Sequence, residues 1–156
     1  MPERKHNPDL PTAKEISPTY GTDHEDWDAA YARKNFQGKT LTEAELLFRD
    51  NALHYQEDLM HMGPDGFRYY VPAFTRYLES PDAVDDSDAV NCFASLIAYR
   101  LDWQPQTLAP VASLLVKTCQ HILQQYDRFD LIPEIYGDLR PDYEAIITRL
   151  NKLNTD

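Results

Sequence analysis

The chain has 156 residues, 42% of them hydrophobic, with five glycines, a balance that fits one globular domain and argues against disorder over most of the length. Acids (26) outnumber Lys and Arg (15), giving a formal charge of −11. That surplus works against nucleic acid, where Lys and Arg must displace counterions from phosphates, and against an anionic membrane surface. No run of about twenty apolar residues offers a bilayer span.

Residues 1–21 read as an irregular or flexible arm, because four of the eleven prolines (Pro2, Pro8, Pro11, Pro18) fall there and proline fixes φ and removes a donor. Leu10, Ile16 and Tyr20 follow no period, although Ile16 and Tyr20 can wrap the arm against the body. Residues 22–156 read as a single α-helical domain. Thr22 and Glu25 have the spacing of a capping box, opening a helix in which Trp27, Ala30 and Tyr31 share a face. Gly38 closes it. Thr42 and Glu45 repeat the capping pattern, with Leu41 and Leu46 placed as a hydrophobic staple. Leu41, Ala44, Phe48, Ala52, Tyr55, Leu59 and Met62 then recur at helical spacing.

Gly63-Pro64-Asp65-Gly66 reads as a turn. Phe67, Tyr70, Phe74 and Tyr77/Leu78 predict a helix starting near Arg68 or Tyr69, with Pro72 in its first turn. Glu79 to Asp88 is an acidic loop whose end, Asp86 or Ser87, can cap the next helix. That helix, with Val90, Phe93, Ile97 and Leu101 and an apolar arc widened by Cys92, Leu96 and Tyr99, has the all-round apolarity of a central element. Val111, Leu115, Thr118, Ile122 and Tyr126 predict another. The last opens at Pro141, with Ile146, Ile147, Leu150 and Leu153 inward. No segment alternates with period two, so the expectation is an all-α compact bundle of about six helices.

Few residues carry a pattern of chemistry. Cys92 and Cys119, 27 apart without a C-x-x-C partner, read as buried thiols of a reducing compartment. The opening MPERKHNPDLPTAKE has no apolar leader core, and the protein is expected in the cytoplasm. Gly38-Lys39-Thr40 imitates a phosphate loop, but Arg33 stands where the first glycine is required. On a helix, His54, Glu57, Asp58 and His61 share one face, and their groups are ligands for zinc, iron or manganese. The facing helices offer few partners for them, so a solvated polar face is the preferred reading and no metal is assigned. Glu79, Asp82, Asp85, Asp86 and Asp88 lack the mid-loop glycine and terminal Glu of a calcium loop. A helix N-terminus attracts acids on its own account. No cofactor is expected.

The stretch Gly63-Pro64-Asp65-Gly66-Phe67-Arg68-Tyr69-Tyr70-Val71-Pro72-Ala73-Phe74 resembles the signature of a bacterial domain family of unknown function, with Val71 in place of its usual Leu. The likeness extends loosely over residues 41–101, or on to the end of the chain, and supplies no catalytic residues; Arg68 is expected to pair locally with Asp65 or a neighbouring acid. By analogy, small acidic proteins of this kind resemble immunity proteins, which silence a toxin. The sequence reading is therefore a non-enzymatic cytoplasmic binding protein. Its partner is expected to be a basic toxin domain, met through an acidic and aromatic surface with Glu79, Asp82, Asp85, Asp86 and Asp88 as first contacts. The alternatives are a helical metal-dependent enzyme using His54, Glu57, Asp58 and His61, or a structural adaptor subunit.

Overall fold

The computed structural model describes residues 9–153. The helices run α1 (Ala13–Ile16), α2 (Trp27–Phe36), α3 (Leu41–His61), α4 (Pro64–Leu78), α5 (Ser87–Trp103), α6 (Pro105–Leu108), α7 (Ala112–Gln124), α8 (Pro133–Tyr136) and α9 (Arg140–Leu153). Short 3-10 turns at Pro81–Ala83, Ala109–Val111 and Tyr126–Phe129 join them. Among the described residues there is no strand, and six helices have ten residues or more. The protein is all-α.

Helix α3 packs against α2, α4 and α5, while α7 packs against α9, and α5 joins the two groups by touching both α3 and α9. The apolar stripes explain this arrangement. Ala44, Phe48, Ala52 and Leu59 of α3 are buried, as are Phe67, Tyr70, Phe74 and Leu78 of α4 and Val90, Phe93, Ile97 and Leu101 of α5. An aromatic file threads the first group. Phe36 meets Phe48 at 5.8 Å between ring centroids, Phe48 stacks on Phe74 at 4.7 Å, and Phe74 meets the edge of Phe93 at 5.5 Å. Large rings bury much apolar surface per residue, which lets a short chain hold α2 to α5 together.

Several helix starts differ from the sequence reading. Asp26, not Thr22, caps α2, accepting hydrogen bonds from the amides of Asp28 and Ala29; a carboxylate that satisfies two orphan amides displaces the Thr22 box. The Thr22 hydroxyl instead donates to the Thr19 carbonyl. At α3 the capping box is Thr40 with Glu43, two residues earlier than expected. Gly38, at φ 81, turns the chain just ahead of it. Leu46 is exposed, so no staple forms with Leu41. Helix α4 begins at Pro64, which takes the first-turn position, and Pro72 lies well inside the helix. Asp86 caps α5 through the Ala89 amide.

The segment from Gly63 to Phe74 has a packing explanation. The Gly63 amide donates to the Ile16 carbonyl at 2.8 Å, and a Cβ on Gly66 would lie 2.9 Å from the Glu15 carbonyl oxygen and 3.0 Å from the Ile16 Cα. Backbone contact this close is what glycine permits. Thr12 and Glu15 form a capping box for α1, and Ile16 is fully buried. Arg68 pairs with Asp65, as expected from the sequence. The Tyr70 hydroxyl donates to the carbonyls of Phe36 and Lys39, at 2.7 and 2.8 Å, fixing the end of α2 to α4.

Candidate functional site

The site begins with the orientation of α2. Ala29, Ala32 and Phe36 are its buried residues, whereas Trp27 is 80% exposed and Tyr31 is also exposed. The Trp27/Tyr31 side of the helix therefore points to solvent. Ala29, Ala32 and Phe36 make the contact with the core, and Trp27 and Tyr31 are left outside.

Helix α3 carries a kink that shapes the opposing wall. Asn51 has an extended backbone (φ −159°, ψ 82°) inside the helix, and its Oδ1 accepts a hydrogen bond from the His54 amide at 3.1 Å. Asn51 thus acts as a cap for the second half of α3. That half and α2 enclose a cleft of about 260 Å³ lined by Asp28, Tyr31, Asn35, His54, Glu57, Asp58 and His61. All four residues of the polar pattern read from the sequence reach this one cleft, in company with α2.

Asp58 is the buried member, 7% exposed. Its Oδ2 accepts a 2.8 Å hydrogen bond from Asn35 Nδ2. Burial raises its pKa above the ordinary carboxylate value, while the Asn35 hydrogen bond pulls the other way. His61 Nε2 stands 3.8 Å from Asp28 Oδ2. Among the described residues no three of His, Cys, Asp or Glu come together in a way that could hold a metal ion.

A second cleft, of about 320 Å³, adjoins the first through His61 and is lined by Asp26, Met60, Met62, Tyr99, Arg100, Trp103 and Gln104. Trp103 is 74% exposed and Tyr99 is exposed beside it, with their ring centroids 6.4 Å apart. Trp27 sits in the chain between Asp26, which lines this cleft, and Asp28, which lines the other. Tyr31 lines the first cleft and Tyr99 and Trp103 the second, together with Asp26, Asp28 and Glu57; Trp27 lies one turn before Tyr31 on the same side of α2. The sequence carried one signal for the second cleft: Tyr99 and Trp103 form an i, i+4 pair flanking Asp102, off the Val90/Phe93/Ile97 stripe.

The acidic loop lies elsewhere and is largely occupied by the fold. Glu79 pairs with Lys117 at 3.8 Å and Asp82 with Arg49 at 2.9 Å. Asp86 caps α5 and accepts from the Tyr77 hydroxyl; Asp88 accepts from the Tyr136 hydroxyl. Asp85 is in the left-handed region at φ 65, and its amide donates to the Arg128 carbonyl. Of the two residues the sequence offered as the cap of this helix, Asp86 takes the position and Ser87 is the first helical residue.

Cys92 and Cys119 are both free and buried, with thiols pushed up by burial to about 11 and about 12. Both stay protonated near neutrality, which makes them poor nucleophiles. No helix among the described residues is long and apolar enough to cross a membrane. Comparisons with known protein families, curated proteins and solved structures return no match for this chain.

Proposed function

We propose that the protein is a non-enzymatic binding protein that docks on a basic protein through the α2/α3/α5 face, acting as an immunity protein that covers the active site or substrate groove of a bacterial toxin in the cytoplasm. The observation that carries this reading is that exposed Tyr31 lines one acid-lined cleft and exposed Tyr99 and Trp103 line the adjoining one, with Trp27, 80% exposed, one turn before Tyr31 on α2. Exposed aromatics gathered on one face mark interaction surfaces, and Trp and Tyr are the residue types that dominate binding energy when desolvated. The net charge of −11 steers a basic partner toward the face and speeds encounter. On this reading Glu79, Asp82, Asp85, Asp86 and Asp88 contribute to the long-range field, and the contact is made by the aromatic face.

The test uses the wild type and the Trp27→Ala/Trp103→Ala variant as paired baits in native extract. Both side chains are exposed, so the variant's melting temperature should match the wild type. A basic protein held by the wild type and released by the variant is the expected result, together with a co-expression assay in which only the wild type protects growth from the captured protein. Equal capture by the two baits would refute the docking face, and a captured protein harmless to growth would refute the immunity role.

A further inference from the structure

Arg100 is part of the wall of the second cleft, and its guanidinium is incompletely paired. Nη2 donates to the carbonyls of Leu59, Met60 and Met62, and Nη1 donates to Gln104 Oε1. The Nε–H, in a side chain only 2% exposed, has no acceptor among the described residues. A buried donor left unpaired is costly, and a guanidinium has no acceptor of its own to offer in exchange. No carboxylate offsets the charge. Burial and Tyr99 are what act on Arg100, and Asp26, which lines the same cleft, spends its Oδ1 on the cap of α2. In a chain with a formal charge of −11, this is a buried cation that has found no acid.

The rest of the cleft narrows the chemistry that would complete it. Tyr99 and Trp103 present exposed rings with centroids 6.4 Å apart. Gln104 is exposed, and with its Oε1 taken by Arg100 its Nε2 is a further donor on the same wall. The volume of about 320 Å³ stands at the small end of the range for small-molecule sites, roughly 300–1,000 Å³, which suits a single ring system. We propose that this cleft binds a small aromatic carboxylate, whose carboxylate accepts from Arg100 Nε and Gln104 Nε2 and whose ring packs on Trp103 and Tyr99. The exposed Trp103 side chain turns aside to admit it. A carboxylate on a guanidinium makes a charge-assisted hydrogen bond, stronger than a neutral acceptor would give, and ring contact adds to it. The acid surplus opposes an anion at long range, so these short-range contacts carry the affinity. The site goes beyond the docking reading, since its ligand is a small molecule and neither proposal requires the other.

The experiment titrates the full chain with phenylacetate, following the NMR signals of the Arg100 Nε–H and the Trp103 indole N–H. Phenylacetamide and cyclohexylacetate serve as matched probes without the charge and without the aromatic ring. A ligand of this size is expected to saturate the site at about millimolar concentration. Both signals should shift together, with phenylacetamide weaker by about tenfold or more and cyclohexylacetate weaker several-fold. Trp103→Ala, at an exposed position, should weaken phenylacetate by about tenfold at an unchanged melting temperature. Arg100→Met removes both donor and charge, and should bind the acid and the amide alike. Should that variant not fold, the Arg100 Nε–H signal of the wild type and Trp103→Ala carry the test. Absence of saturation, equal affinity for acid and amide, a Trp103 shift with none at Arg100 Nε, or unchanged binding in Trp103→Ala would each overturn the proposal. A folded Arg100→Met that still prefers the acid would do the same. The titration contains no partner, so its failure leaves the paired-bait test standing, and the reverse also holds.

Discussion

Arg100 is a buried cation with no carboxylate partner among the described residues. It is 2% exposed, and its guanidinium donates to the carbonyls of Leu59, Met60 and Met62 and to Gln104 Oε1, while lying 4.4 Å from the Phe67 ring centroid. Burial lowers its pKa to about 10, which still leaves it charged at neutral pH. The carbonyls it binds are at or beside the C-terminus of α3, where the unsatisfied oxygens concentrate partial negative charge. Arg100→Met keeps much of the apolar stem but strands those oxygens, so unfolding should be easier by about 3 kcal/mol, read from the urea midpoint at unchanged slope. Lysine at this position keeps the charge without the fork, and should recover only part of the stability. Nothing in the sequence marks Arg100, because an arginine in the last turn of a helix ordinarily lies on the surface.

Asp58 gives a second residue-scale expectation with a definite sign. An acid whose folded pKa stands above its unfolded value contributes stability below the unfolded pKa and surrenders it as pH rises through the folded one. Burial raises Asp58 in this way, so at neutral pH its ionised form burdens the fold. Asp58→Asn should therefore make the protein more stable at pH 7, with the gain shrinking as pH falls through the folded pKa. Melting temperatures of both proteins across pH 3 to 8 check it; a variant less stable than wild type at pH 7 would contradict the reading that burial outweighs the Asn35 hydrogen bond at Asp58.

At the scale of elements, the packing of α1 on α4 depends on the absence of a side chain. A methyl group on Gly66 would press on the Glu15 carbonyl and the Ile16 Cα, and both are backbone, which cannot rotate aside. Gly66→Ala should cost about 1–3 kcal/mol and loosen α1. The Gly63 amide, bonded to the Ile16 carbonyl, should then exchange its hydrogen faster than in the wild type, with amides of the α5 core unaffected. The periodic stripes of α3, α4 and α5 are legible in the sequence because each repeats over three or more turns. The helix starts are less so. Thr40-Leu41-Thr42-Glu43-Ala44-Glu45 contains two overlapping capping boxes, and only the tertiary turn at Gly38 selects between them. Likewise Pro64 and Pro72 compete for one first-turn position, which sequence spacing alone does not assign. In α2 the grouping of Trp27, Ala30 and Tyr31 does not say which side packs, and the buried side is the one with Ala29, Ala32 and Phe36.

For the whole molecule, the acid surplus and the aromatic face act at different ranges, and kinetics separates them. Acid clusters are legible in composition, but their structural roles are not, since Asp82 and Arg49 are far apart in sequence and meet only in the fold. Charge acts over about a Debye length, roughly 8 Å at physiological salt, so acids outside the docking face still raise the association rate. Buried rings act only after docking and chiefly set the dissociation rate. Asp85, Asp127 and Glu134 are exposed and away from the aromatic face. Replacing them as Asp85→Asn, Asp127→Asn and Glu134→Gln removes three of the eleven excess charges while suiting asparagine to the left-handed backbone at residue 85. With the basic partner captured by the wild type, this variant should associate several-fold more slowly at low salt, dissociate at the wild-type rate, and converge with the wild type at high salt. The Trp27→Ala/Trp103→Ala variant should do the opposite, associating normally and dissociating faster at every salt concentration. If both variants changed the same rate constant, the separation of a steering field from a docking face would fail; if neither changed any, the partner would bind some other surface of the protein.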